Sequence, residues 1–232
     1  MKLYNGEKAI ISLTSWKARI NTVAKTLFSL ITKCPGFHIV LVLSEEEFPK
    51  KEAELPPSLM AFVNNNLVEL LWVYKNYKSF KKVLFTMDKY RGVPVISADD
   101  DCMYTCNFAE ELYRAWSSNS SSIISQSILL PYKDLGIFGG GWGVIFPPEF
   151  LQCFRRPITE IPFEKLPGSN DDLFYVITAK LKNVRIISLG KKQLQDLVVY
   201  SGDGPESLSN TKQHETELQY NEYYSFIKQL IS

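Results

Sequence analysis

Three consecutive carboxylates, Asp99-Asp100-Asp101, follow an apolar run that ends Val95-Ile96-Ser97. Such a triplet repels itself unless a cation neutralises it, and its hard oxygen ligands suit Mg2+ or Mn2+. Two residues apart, Asp99 and Asp101 can project to one side of an extended turn as metal ligands. Lys75, Lys78, Lys81 and Lys82, interleaved with Tyr74, Tyr77 and Phe80, follow the preceding apolar run. Lysines hold phosphate oxygens as point charges while a divalent metal grips a diphosphate from its other side. Farther on, Asp171-Asp172 open an apolar-periodic segment, where helix N–H groups favour carboxylates. One of the two, Asp171 or Asp172, is expected to cap the helix, leaving the other to take a hydroxyl proton as general base. Between these acids, Gly139-Gly140-Gly141-Trp142-Gly143 lacks the Lys-Ser/Thr of a phosphate-binding loop and runs into Val144-Ile145-Phe146. Gly141 and Gly143 permit close backbone approach, and Trp142 offers an apolar face to a sugar ring. Each feature also has a plainer explanation: a solvated acidic turn, a solvated lysine face, an ordinary cap, and a turn around a buried Trp.

The elements that must position these residues alternate in type. Ala9 to Leu13 and His38 to Leu43 read as strands around a helix over Asn21 to Thr32, which Cys34-Pro35-Gly36 stops. A helix over Ser58 to Asn64, a strand Val68 to Tyr74, a helix Ser79 to Tyr90 and a strand Val93 to Ser97 follow. Past that point the spacing predicts a helix Phe108 to Trp116, strands Ile123 to Ser127 and Val144 to Phe146, a helix Asn170 to Leu181 and a strand Val184 to Ser188. A turn-rich, mobile loop over 201–213 then leads to a helix Glu215 to Ile231 that presents Leu218, Phe226 and Leu230. Strands apolar at nearly every position belong to a parallel sheet covered on both faces, so the fold class is a three-layer α/β/α sandwich with a mostly parallel sheet. In such a sheet ligands bind beyond the carboxyl ends of the strands, where the acidic triplet falls.

The 232 residues suit one domain, and 26 Lys+Arg against 25 Asp+Glu leave a formal charge of +1. That balance predicts no nucleic-acid partner and at most peripheral membrane association. Apolar runs such as Ile39 to Leu43 fall far short of the ~18 residues of a membrane span. The opening MKLYNGEKAI has no apolar stretch before a cleavage site, so the expected address is cytoplasmic, at most at the inner face of the membrane. Cys34, Cys102, Cys106 and Cys153 form no C-x-x-C pair and are expected to be reduced thiols. His38 and His214 are too few for a histidine-rich metal site or a Ser-His-Asp triad.

Several motifs fall in one order: Ile10-Ile11-Ser12-Leu13-Thr14-Ser15-Trp16 with Arg19-Ile20, Leu43-Ser44-Glu45-Glu46-Glu47-Phe48-Pro49, Ser79-Phe80-Lys81-Lys82, and Asp99-Asp100-Asp101 with Tyr104. Gly143-Val144-Ile145-Phe146-Pro147-Pro148 and Asn170-Asp171-Asp172-Leu173-Phe174 complete the set. Together, from about residue 9 to about 189, they resemble a family of bacterial GT-A-fold glycosyltransferases associated with surface polysaccharides. The resemblance implies that Asp99 to Asp101 are the D-x-D motif holding the metal on a nucleotide-sugar, a UDP-sugar by preference. It implies that Thr14, Trp16 and Arg19 cradle base and ribose, with Ser79, Lys81, Lys82 and Asp100 completing the donor site. By the same analogy Asp172 is the base of an inverting transfer to a saccharide or lipid-linked saccharide, and His214 closes over the diphosphate as a third metal ligand. Residues 1–107 would form the nucleotide-sugar half, 108–200 the acceptor half, and 201–232 the loop and C-terminal helix. Two positions depart from the family pattern: Gln126-Ser127 stand where a His-Arg pair is common, and Phe174 where a Trp is.

Two other functions compete. A sugar-phosphate nucleotidylyltransferase shares the layout and acidic site but needs a glycine-rich loop after the first strand, and Ser12 to Arg19 contain no glycine. A catalytically silent carbohydrate-binding module would tolerate loss of the acids.

Overall fold

The apolar strands alternate their side chains between two covered faces. In the computed structural model, which describes residues 8–132, 135–152, 154, 156–167, 170–190, 198–200 and 213–231, Ile10 and Ile11 of one strand are both fully buried, in separate hydrophobic clusters. Seven strands form the central sheet: β1 (Ile10–Thr14), β2 (His38–Ser44), β3 (Glu69–Val73), β4 (Val95–Ser97), β6 (Ile123–Ser125), β9 (Val144–Phe146) and β10 (Ile186–Ser188). Their order is β10-β6-β9-β4-β1-β2-β3, parallel throughout except for β9, which runs antiparallel to β4 and β6.

One face of the sheet carries α1 (Val23–Lys33), α2 (Pro57–Asn64) and α4 (Phe108–Ser117), whose Leu27, Leu59 and Leu112 pack with Ile11, Leu41, Ile96 and Ile145. The other carries α3 (Lys81–Lys89), α5 (Asp171–Leu181) and α6 (Gln213–Ile231), whose Leu84, Val176 and Ile227 pack with Ile10, Val40, Val95 and Val144. At about 1.5–3 kcal/mol for each large side chain removed from water, these two layers drive the fold. The expected three-layer, mostly parallel sandwich is therefore observed.

Some boundaries differ. Residues 79–90 are not one helix: a 3-10 turn over Lys78–Phe80, entered with Lys78 at φ 50°, precedes α3. Four expected strands are shorter than read: β3 spans Glu69–Val73, β4 starts at Val95, β6 ends at Ser125 and β10 starts at Ile186. Two antiparallel ribbons were not foreseen, β5 (Cys102–Tyr104) with β11 (Val198–Tyr200) and β7 (Ile128–Tyr132) with β8 (Leu135–Phe138). The expected loop over 201–213 lies outside the described residues but for Gln213, the first residue of α6, and the side chain of Leu218 is outside them too.

Candidate functional site

The register of the sheet brings the sequence candidates to one edge. Thr14 pairs with Val42, Ser44 with Val73 and Ser12 with Ser97, so β1 to β4 end together, and the loops after them meet. β9 runs the other way, so its start, Val144, lies beside Ser97 and Ser125 and carries the glycine loop to the same edge.

There the acids meet cations from distant loops. Arg19 Nη1 reaches Asp100 Oδ1 at 3.0 Å and Asp101 Oδ2 at 2.9 Å, and the Ser15 hydroxyl donates to Asp100 Oδ2 at 2.6 Å. Asp100 is buried, and the Thr26 hydroxyl of α1 donates to its backbone carbonyl at 2.8 Å. Its carboxylate thus braces the loop after β1 against the acidic turn. Lys82 Nζ donates to Asp99 Oδ1 at 2.7 Å and lies 3.2 Å from Asp171 Oδ2. Burial works against the Lys82 ammonium, but Asp171, Asp99 and Asp172 outweigh it and hold its pKa well above the ordinary lysine value. Lys81 is buried as well, its ammonium 3.5 Å from Glu47 and 3.2 Å from the Asn76 side chain, and burial lowers its pKa despite Glu47. Both lysines thus point inward onto protein carboxylates, where the sequence suggested ammonium groups offered to a diphosphate.

The glycine loop closes on the triplet. The buried Tyr104 hydroxyl accepts from the Asp99 N–H at 3.1 Å and donates to the Gly141 carbonyl at 2.6 Å. A Cβ on Gly141 would sit 2.1 Å from Asp99 Oδ2, so only glycine allows this approach. Gly143, at φ +100°, faces the Phe108 ring of α4, which a Cβ would meet at 2.6 Å. Its role is to admit β9 against α4. Trp142 is half-buried between them.

Of the remaining candidates, Thr14 donates its hydroxyl to the Val42 carbonyl at 2.7 Å, while Trp16 leaves 37% of its surface open. Ser79 is half-buried in the 3-10 turn before α3. Asp171 does not cap its helix. Asn170 does, its side chain accepting from the Leu173 N–H at 3.0 Å, because a residue outside the first turn can fold its short side chain back over those amides. Asp171 is turned to Lys82 instead, and Asp172 is half-buried at the same helix start. Gln126 is buried, its amide donating to the Phe108 carbonyl at 3.3 Å, so it belongs to the α4 packing. His214 stands in the first turn of α6, and its side chain is outside the described residues.

No protein-family model matches the chain, and no curated protein matches it in sequence. Solved structures do. S. aureus TarS 1-349 in complex with UDP-GlcNAc aligns at TM-score 0.57 and 14% identity, over 88% of this chain and 61% of that one. The fold is GT-A-like. S. aureus TarS aligns at 0.53 and 14% identity over 84% of this chain, and the mannosyltransferase PcManGT from Pyrobaculum calidifontis, in complex with GDP-Man and Mn2+, at 0.52 and 11% identity over 79%. This chain covers 36% of that TarS chain and 55% of the mannosyltransferase, so it spans well under two thirds of either.

Among the described residues at this GT-A-like edge the carboxylates Asp99, Asp100, Asp101, Asp171 and Asp172 outnumber the cations Arg19 and Lys82, and the buried Asp171 Oδ2 takes no hydrogen bond despite its 3.2 Å ion pair. Surplus hard oxygen fits a divalent cation. Among the described residues no three His, Cys, Asp or Glu side chains form a ready cage. Sequence reasoning gave no role to Ser15, Thr26 or Tyr104. Ser15 and Tyr104 appeared there only as members of the ordered motifs, and Thr26 left no trace.

Proposed function

We propose that this chain is a metal-dependent glycosyltransferase, moving a sugar from a nucleotide-diphosphate-sugar to a saccharide hydroxyl in the building of a surface polysaccharide. One observation carries the proposal: on a GT-A-like fold, the strand-end triplet, the loop after β1, the glycine loop and the acidic start of α5 meet at one sheet edge. That TarS structure holds UDP-GlcNAc and that of PcManGT holds GDP-Man and Mn2+, which supports a nucleotide-sugar and a divalent cation as the ligands here.

In this reading Asp99 and Asp101 supply the protein's share of the oxygen ligands for Mg2+ or Mn2+. When bound, the cation offsets the negative charge that grows on the leaving diphosphate. Arg19 steadies Asp101, and Asp100, locked to Ser15, fixes the β1 loop so that the open ring of Trp16 can stack on the base. Asp172 accepts the proton of the incoming hydroxyl. No described helix is long and apolar enough to cross a membrane, so we place an acceptor at the open sheet edge, as a saccharide free or linked to lipid.

Thermal melting with UDP, UDP-GlcNAc and GDP-Man, each with and without Mn2+, tests the donor, since a ligand that binds only the folded chain raises the melting temperature. Release of nucleoside diphosphate in the presence of saccharides tests transfer. A chain whose melting is unmoved by every nucleotide overturns the proposal. If saccharides alone raise it, the carbohydrate-binding module replaces it.

A further inference from the structure

Lys82 touches both halves of the site. Its backbone is fixed first: at the start of α3 its carbonyl accepts the Ser12 hydroxyl of β1 at 2.5 Å. From there the side chain, only 5% exposed, carries the ammonium to Asp99 at 2.7 Å and Asp171 at 3.2 Å. Asp99 belongs to the turn after β4 and Asp171 to the first residue of α5. Two carboxylates repel each other, whereas an ammonium with three N–H groups and no acceptor binds both at once. Among the described residues the buried Asp171 Oδ2 takes no hydrogen bond, so the ion pair with Lys82 is what holds that oxygen. The buried hydroxyl of Tyr175, one helical turn on, has no hydrogen-bond partner among the described residues and so offers Asp171 no substitute.

We propose that Lys82 is a positioning residue: its ammonium ties the donor-side turn at Asp99 to the start of α5 at Asp171 and so fixes Asp172 at its reach from the donor. The proposal rests on the glycosyl-transfer reading above. Lys82 has two rival roles, as a direct ligand of the diphosphate and as a plain counter-ion of buried acids, and each leaves a different kinetic trace.

Lys82→Met keeps the length of the stem and removes the charge, but it strands two carboxylates. The double variant Lys82→Met, Asp171→Asn removes one of them and keeps the fold testable. With a nucleotide-sugar that the wild type turns over, the double variant should lose about 30-fold or more in kcat, with the donor KM within about threefold, and Asp171→Asn alone should lose less. A tenfold rise in donor KM with kcat kept makes Lys82 a diphosphate ligand and overturns the proposal. Unchanged kcat and KM make it a counter-ion only, which also overturns it. Amide hydrogen exchange supplies a readout independent of turnover. In Lys82→Met the amides of the 99–101 turn and the first turn of α5 should exchange about tenfold faster, with β1 and β2 unchanged. If those amides keep their wild-type rates, the tie does not exist. A wild type that turns over no nucleotide-sugar sinks the glycosyl-transfer reading, and exchange still decides the tie.

Discussion

Gly141→Ala is the smallest change that strikes the centre of this site. The added methyl would lie 2.1 Å from Asp99 Oδ2, 2.6 Å from Cγ and 2.9 Å from Cβ, where ordinary contact begins at 3.4 Å. The carboxylate must therefore retreat by about 1.3 Å, or the loop must lift by as much. Either movement strains a fixed group. Asp99 is held by Lys82 at 2.7 Å, and the Gly141 carbonyl is held by the Tyr104 hydroxyl at 2.6 Å. Overpacking of this size costs about 1–3 kcal/mol of stability, and a displacement near 1 Å at a reacting centre costs about 10²-fold in rate. The assay pairs urea denaturation with single-turnover transfer. Gly36→Ala is the control: it has nothing within 4 Å of its added Cβ, and its φ of +82° strains the backbone alone. It should lose stability and keep its rate. Wild-type stability and rate in Gly141→Ala would refute the close approach of the loop to Asp99 and the role we give to Asp99.

Asp172→Asn should lower kcat by about 10²–10⁴-fold with donor affinity kept, because a base acts mainly in the transition state; near-normal single-turnover rates would remove the assignment. Asn170→Ala should cost about 0.5–2 kcal/mol in urea unfolding, as the cap on the Leu173 N–H is lost, and an unchanged midpoint would mean the cap contributes nothing. Tyr104→Phe should destabilise by about 1–3 kcal/mol for each polar group it strands, the Asp99 N–H and the Gly141 carbonyl, and a melting curve like the wild type's would show that solvent replaces the hydroxyl. At the far side of the sheet, burial works against the Glu69 carboxylate, yet His38, Lys89 and Tyr90 hold its pKa at about 2 against an ordinary 4.5. Because the folded value lies below the unfolded one, this stabilisation is complete above about pH 4.5 and drains away toward pH 2. The melting difference between wild type and Glu69→Gln should therefore be constant near neutrality and vanish near pH 2, and a difference that grows in acid would contradict that sign.

The strands that build the sheet were legible because burial on both faces leaves a mark in the sequence. His38 to Leu43 is apolar at nearly every position and is a strand to Ser44. The short ribbons left no such mark. β7 contains Pro131, which demotes a strand reading, and among the described residues β11 pairs with β5, nearly a hundred residues earlier, so no local partner announces it. The end of the strand Val95–Ser97 could be read, and with it the place of the acidic triplet. The 3-10 entry to α3 could not, since Lys78 reaches a positive φ without the glycine that usually announces one.

Residue types at the site were legible for the same reason that their pairing was not. Strand-end positions follow from local periodicity, but which partner meets which depends on contacts between residues tens of positions apart in sequence. Arg19 and Asp100 are 81 apart, Ser15 and Asp100 are 85 apart, and Tyr104 and Gly141 are 37 apart. Sequence spacing therefore suggested lysines at a sheet edge facing a diphosphate, and the fold sets Lys82 there between acids from two different elements. Its burial follows from α3. Val83, Leu84 and Met87 pack into the core, and Lys82, next to them in the first turn of α3, is buried with them, where a lysine stays charged only if acids surround it. Asp99, read as a metal ligand, and Asp171 and Asp172, read as cap and base, are thus also the condition for burying Lys82, and a substitution that removes one of them changes the charge balance of the core as well as the chemistry of the edge.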